Sequence, residues 1–214
     1  MPSPATPAEY SAWYHTPRGA WIADRELRLM MSMMRPASGS SLLDVGCGTG
    51  HFSRRFANAG FNVTGIDPDQ SAIEFARNRN GNVVYDIADA GKLPFDNNAF
   101  DYVTAVTSLC FITEPEQALR EMWRVSRRGV MLGLLNRHSL LFQERAKHPG
   151  YAGARWDTAI GVYGWAQGLQ RPPSNILIKS AVTFPNGNYL SRIAETIIPS
   201  SLPYGSFLAV YFQK

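Results

Sequence analysis

The stretch Leu42-Leu-Asp-Val-Gly46-Cys-Gly48-Thr-Gly50 constrains this chain more than any other. An apolar run from Ser41 to Val45 predicts a strand, glycines at alternate positions predict a tight loop, and the residues from His51 to Ala59 predict a helix. Glycine tolerates positive φ and puts no Cβ between the backbone and a ligand. The helix N-terminus beyond the loop offers N–H groups without intrahelical partners. A strand, loop and helix in this order accept the polar end of a ligand at close range. The competing reading, a glycine-rich turn with no ligand, suits an isolated G-x-G better than this nine-residue context.

Two ligand chemistries compete for such a loop. A dinucleotide site uses G-x-G-x-x-G, so that a pyrophosphate reaches the helix end. Here glycines stand at 46 and 48, but the third place is His51, giving G-x-G-x-G instead. Asp44, on the strand just before the loop, repels a pyrophosphate and suits a cationic ammonium. S-adenosylmethionine carries an ammonium and a sulfonium, so the charge pattern favours it over a dinucleotide.

The organisation from 41 to 135 points the same way. Further strands are predicted at Phe61–Ile66, Val83–Tyr85, Phe100–Val106 and Val130–Leu135, with helices at Gln70–Asn78 and Pro115–Val125 between them. Short strands alternating with helices predict an α/β, Rossmann-like fold: a mostly parallel sheet with right-handed crossovers and helices on both faces. Before this core, Tyr10, Trp13, Tyr14 and Trp21 sit in a start predicted to be poor in helix, followed by a helix over Gly19–Met34 that Pro36 stops. After residue 136, helices are predicted at Leu140–Lys147 and Thr158–Gln167. Strands at Ile176–Thr183 and Phe207–Phe212 are expected to finish the sheet as a hairpin-like pair.

Composition removes several function classes. The 214 residues suit a single domain rather than two. With 45% hydrophobic and 18% charged residues, the chain is too apolar to be disordered. The apolar run Leu27–Met34 falls well short of the ~20 residues that cross a bilayer, and Pro2, Pro4 and Pro7 without an apolar run predict no export signal. Cys47 and Cys110 form no C-x-x-C pair and the four histidines are scattered, so no structural metal site is expected. A reducing cytoplasm fits. The net charge of +4 comes from 17 Arg and 4 Lys in small groups such as Arg54-Arg55 and Arg127-Arg128, with no dense basic stripe for nucleic acid.

The glycine loop resembles the first motif of class I S-adenosylmethionine-dependent methyltransferases, and the run from Leu42 to Leu135 is similar to the methyltransferase type 11 group that includes the ubiquinone and menaquinone biosynthesis enzymes. The resemblance implies seven strands in the order 3-2-1-4-5-7-6, the seventh antiparallel. It also implies an N-terminal lid within residues 1–40, a cofactor core at 41–135, and an acceptor side at 136–214. Asp44 and the Gly46 backbone would hold the amino-acid end of the cofactor, with Gly48 and Gly50 shaping the loop. Asp67, ending the second strand, would accept from both ribose hydroxyls, its alternative role being to stabilise the next helix. Ile66 and Pro68 would flank the adenine. Asp89, with the Ala90 backbone, would meet the adenine edge; the order Asp-Ala-x-x-Leu-Pro-Phe favours it over Asp86. A carbonyl near Thr107 would accept from the ammonium. Tyr14-His-Thr-Pro-Arg18 resembles a lid in which an aromatic and an Arg close over the cofactor carboxylate.

Methyl transfer from a sulfonium is an in-line displacement in which the protein mainly aligns the acceptor. A general base is needed only where the acceptor must lose a proton. His138, Tyr163 and His15 are the candidates, each also explicable as packing or surface. The Asn/Asp-Pro-Pro-Tyr/Phe signature of nucleic-acid amino methylation is missing at Thr107-Ser-Leu-Cys110. Trp156, Tyr163, Trp165 and Phe184 predict an apolar acceptor pocket, and Arg155 either binds an acidic acceptor or pairs with Asp157. The expected partner is a small molecule. A dinucleotide oxidoreductase and a catalytically silent S-adenosylmethionine-binding subunit are the rival readings.

Overall fold

Strand β1 (Ser41–Val45) is the centre from which the sheet is assembled, and its alternating side chains explain why both faces are covered. Leu42 points into one apolar layer and Leu43 and Val45 into the other. A strand apolar on both faces must lie inside a sheet with helices above and below. The computed structural model describes residues 6–79 and 81–214; Pro2 and Pro4, invoked above against an export signal, lie outside them.

Parallel to β1 run β2 (Asn62–Asp67) on one side and β4 (Phe100–Val106) on the other. Beyond them lie β3 (Val83–Ile87) and β5 (Ser126–Leu135), both parallel to their neighbours. The strand β7 (Phe207–Gln213) inserts antiparallel between β5 and β6 (Asn175–Ala181). The order is 3-2-1-4-5-7-6, as the resemblance implied.

Helices α2 (Pro17–Met34) and α3 (His51–Asn58) cover the face that buries Leu42, through Met30, Met33, Phe52 and Phe56. Helices α5 (Pro115–Val125) and α7 (Ala159–Gln167) cover the other, through Leu119, Met122, Val162 and Ala166. Helix α4 (Gln70–Arg77) packs Ile73 and Ala76 against Tyr85 of β3.

Two helices depart from the sequence expectation. The start of the chain is helical: α1 (Pro7–Trp13) is opened by a reciprocal cap in which Thr6 accepts from Glu9 N and the Glu9 carboxylate accepts from Thr6 N. Thr6-x-x-Glu9 is the signature of that cap; the prolines and aromatics around it masked the signal. Between β6 and β7 lies α8 (Tyr189–Ile197), capped by Asn188, where no element was expected. The remaining differences are at ends. β5 begins at Ser126 rather than Val130: Ser126 pairs with Phe100, and the exposed Arg127-Arg128 pair bulges opposite Asp101, with which both form ion pairs, before the ladder resumes at Gly129. Helix α6 (Leu140–Arg145) is shorter than expected.

The entry of β7 into the sheet depends on a close fit between Phe207 and Gly133, where a Cβ on the glycine would strike the Phe207 ring. Phe207 is almost wholly buried. Phe207→Ala should therefore lower the unfolding free energy by roughly 3–5 kcal/mol, read as a lower urea midpoint with an unchanged m value.

Candidate cofactor and acceptor site

The parallel register sets the carboxyl ends of β1, β2 and β4 side by side, with Val45 opposite Ile66, Asp67 opposite Ile87, and Val106 opposite Gly133. The loops leaving these ends enclose a cavity of about 340 Å³. Asp44, Gly46, Gly48, Asp67, Pro68, Asp89, Ala90, Thr107 and Tyr14 all line it. Gly50 and Arg18 do not. Gly50 instead opens α3 in a left-handed conformation, and Arg18 Nε donates to the Pro185 carbonyl (2.6 Å), toward the β6–β7 connection.

The glycine loop is folded back on β2. Gly46 N and Cys47 N both donate to the Ile66 carbonyl, at 2.8 and 2.9 Å. Gly46 has φ +70°, and a Cβ there would collide with the Ser108 side chain, whose hydroxyl donates to the Val45 carbonyl (2.8 Å). Gly48 has φ +51° and a Cβ there would meet no protein atom, because that side of the residue is open. Its N–H donates to Asp67 Oδ2 (2.8 Å), while Asp69 N donates to Oδ1 (2.9 Å). A carboxylate has about four lone-pair positions, so Asp67 keeps acceptor capacity for a ligand.

Asp44 is only 1% exposed. Ser53 Oγ of α3 donates to Oδ2 (2.6 Å) and Thr104 Oγ1 of β4 donates to Oδ1 (3.1 Å). Burial raises its pKa to about 6, against the lowering effect of these two hydroxyls. Thr104 was legible as a hydroxyl inside an apolar strand; nothing in the sequence marked Ser53.

The two acids at the end of β3, Asp86 and Asp89, separate by position. Asp89 lines the cavity and accepts from Gly91 N (2.7 Å), whereas Asp86 is turned outward and pairs with Arg77 (3.3 Å). Thr107 adopts φ +50°, unusual for a β-branched residue, and its N–H donates to the Gly133 carbonyl (2.8 Å). Its own carbonyl accepts from Cys110 Sγ (3.3 Å).

The outer wall is aromatic: Tyr10, Tyr14, His51, Phe52 and Phe111. Tyr14 stacks on His51 with ring centroids 3.7 Å apart, and its hydroxyl lies 3.1 Å from that of Tyr10. Burial, with Arg55 and Arg54 nearby, lowers the His51 pKa to about 3, so this imidazole is neutral at pH 7. His15, His138 and Tyr163 all lie outside the cavity, as do Trp156, Trp165 and Phe184, so the aromatic residues expected to form the acceptor pocket do not line it. Arg155 pairs with Asp157 (2.7 Å) and lies over the Trp165 ring.

Glu26 was not anticipated at all. It sits on the inward face of α2 at 9% exposure, and burial raises its pKa to about 8, moderated by Arg55. A lone acid in an amphipathic helix reads as a surface residue unless the helix phase is known, which is why the sequence hid it.

Comparison with known proteins agrees with this geometry. Residues 43–133 match a family model described as a methyltransferase domain. A demethylmenaquinone methyltransferase of Renibacterium salmoninarum is 35% identical over 102 residues, covering 48% of this chain and 43% of that protein. An uncharacterised protein of Mycobacterium tuberculosis is 33% identical over 159 residues, covering 71% of this chain and 53% of that one. The chain thus spans about half the length of the curated relatives it matches. A Thermotoga maritima methyltransferase, described as a possible histamine N-methyltransferase, superposes with TM-score 0.74 over 97% of this chain and 95% of its own at 22% identity. The [4+2]-cyclase SpnF superposes with TM-score 0.65 over 87% of this chain and 78% of its own at 21% identity.

The fold is that of class I methyltransferases, and residues 43–133 are similar to the methyltransferase domain of that S-adenosylmethionine-dependent family. The residues of this chain fit the cofactor this family implies. The open side of Gly48 leaves room for a ligand against the backbone, and Asp44 and Asp67 give that end of the cavity an acidic character suited to a cation.

The two buried acids set a pH dependence. Both have folded pKa values above those of the unfolded chain, so each contributes stability that is fully present below about pH 4 and is lost as pH rises, through about 6 for Asp44 and about 8 for Glu26. His51, with its lowered pKa, works the other way and adds stability as pH rises to about 6.5, opposing Asp44. The melting temperature of the ligand-free protein should therefore fall most clearly between about pH 6.5 and 8, where Glu26 alone titrates. Glu26→Gln should flatten the upper part of that fall and exceed the wild type in melting temperature at the alkaline end. An unchanged profile in the variant would exclude Glu26 as the group responsible.

Proposed function

We propose that this protein transfers a methyl group from S-adenosylmethionine to a small, largely apolar acceptor. The observation that carries the reading is a single cavity lined both by the glycine loop with Asp44 and Asp67 and by the aromatic side chains of Tyr10, Tyr14, Phe52 and Phe111. When bound, the cofactor supplies a methyl group on a sulfonium that is its own leaving group, open to in-line attack.

The residues of this chain would hold and orient. Asp44, the Gly46 backbone and the Thr107 carbonyl receive the amino-acid end, the Asp67 carboxylate receives the ribose hydroxyls, and Asp89 with the Ala90 N–H receives the adenine edge. Ile66 and Pro68 pack beside the ring. Gly50 keeps the loop's exit in shape, and Arg18 ties the lid to the segment before α8. Tyr10, Tyr14, Phe111 and Ile112 exclude water from the reacting centre and seat the acceptor. Proton removal is assigned to none of His15, His138 or Tyr163, since none reaches the cavity. On this reading residues 1–40 cap the site, 41–135 hold the cofactor and 136–214 shape the acceptor side, and the protein works in the cytoplasm.

Calorimetry should show S-adenosylhomocysteine binding and no NAD binding; the reverse would sink the reading. Asp67→Ala should weaken S-adenosylhomocysteine by ~30- to 1000-fold through loss of charge-assisted bonds. Asp89→Ala should cost far more than Asp86→Ala, and equal losses with the fold intact would show that the adenine edge is misplaced. An acceptor screen read by release of S-adenosylhomocysteine separates an enzyme, which turns over with some acceptor, from a silent binding subunit, which never does. A lid over the cofactor should also slow hydrogen exchange in Tyr10–Trp21 when S-adenosylhomocysteine is added. Fast exchange there with and without ligand would remove that assignment.

A further inference from the structure

Helix α8 has its polarity reversed. Tyr189, Leu190, Ile193 and Ile197 are 77, 74, 42 and 75% exposed, while Ser191 and Glu195 are 8 and 4% exposed. At roughly 100° per residue the four apolar side chains share one arc about 100° wide, facing away from the protein. The orientation is held from inside. The Glu195 carboxylate accepts from the backbone N–H groups of Val182 and Thr183, and Arg25 donates to the Glu195 carbonyl (3.0 Å). The helix therefore cannot roll its apolar side inward without leaving the backbone N–H groups of Val182 and Thr183 without their acceptor.

Arginines border the helix. Arg192 on α8 donates to the Gly187 and Pro17 carbonyls and Arg18 to that of Pro185, neither meeting an acid, while Arg25 and Arg28, paired with Glu195 and Asp24, share a small cavity with Ile198 just after the helix. The chain's charge is unevenly divided: residues 1–135 carry 13 Lys/Arg and 14 Asp/Glu, whereas residues 136–214 carry 8 and 3. Of those three acids, Asp157 and Glu195 are buried, leaving Glu144 exposed.

An exposed apolar arc on a short helix bordered by arginines matches an anionic lipid surface. A second copy in two-fold contact would bring the same arginines against each other. Among the described residues no helix is long and apolar enough to cross a membrane, so the contact would be interfacial. We infer that α8 is a peripheral docking helix that seats the protein on anionic phospholipid, with Leu190 and Ile197 entering the headgroup boundary and the neighbouring arginines meeting the phosphates.

The test is flotation of the purified protein with vesicles of phosphatidylcholine, with and without phosphatidylglycerol, in the absence of cofactor. The protein should float with the phosphatidylglycerol vesicles and be released by raised salt. The double variant Leu190→Ser, Ile197→Ser should lower the vesicle-bound fraction by about tenfold. Its melting temperature and S-adenosylhomocysteine affinity should stay at wild-type values, because both side chains are three-quarters exposed. No flotation of the wild type, or equal flotation of the variant, would overturn the inference. So would sedimentation showing a wild-type dimer that the double variant abolishes, since the occupant would then be a second copy. These readouts involve no methyl transfer, so their failure leaves the proposed activity standing, and the reverse also holds.

Discussion

The buried carboxylate of Asp44 is the point on which the site turns. Its two oxygens are held by hydroxyls from different elements, Ser53 on α3 and Thr104 on β4, so one side chain of β1 links the helix that follows the glycine loop to the neighbouring strand. Burying an acid is costly unless it is hydrogen-bonded, and here the bonds also fix where α3 begins relative to the strand ends. The loop between has little freedom left. It is bonded to the Ile66 carbonyl through two N–H groups and to Asp67 through a third. A site arranged this way is formed before a ligand arrives.

That pre-formation bears on how a cation would be accommodated. Without one, Asp44 sits with its pKa raised to about 6 and Asp67 lies close enough to add to the rise. An ammonium brought to this end would favour the ionised form of Asp44 and offset the cost of its burial. The same acidic end disfavours a pyrophosphate, so the discrimination read from Asp44 in the sequence has a counterpart in the cavity.

Much of the fold could be read from the sequence because local and long-range signals agreed between residues 41 and 135. Strand length, glycine placement and helical spacing all point to crossover units, and helix α5 falls at Pro115–Val125 as expected. Agreement failed where one signal worked against another. In α1 the proline and aromatic content obscured the Thr6–Glu9 cap. In α8 the apolar residues face outward, so the usual rule that an apolar stripe marks the buried side gives the wrong answer. For the site, Asp67 and Asp89 were legible because each ends a strand or follows one. Glu26, Ser53 and the aromatic stack of Tyr14 on His51 were not, because they come together only through helix packing.

The position of β7 has a consequence for how the molecule is made. The last of the seven strands in chain order lies inside the sheet, and β6 pairs with nothing else in it. During synthesis β6 therefore emerges before the strand that can receive it, and its backbone edge and apolar residues wait without a partner. Pairings between distant segments form slowly, and exposed strand edges invite association with other chains. The core from β1 to β5 can assemble first around short crossovers, so the sheet closes from its middle outward and is finished by the insertion of β7 alongside β5.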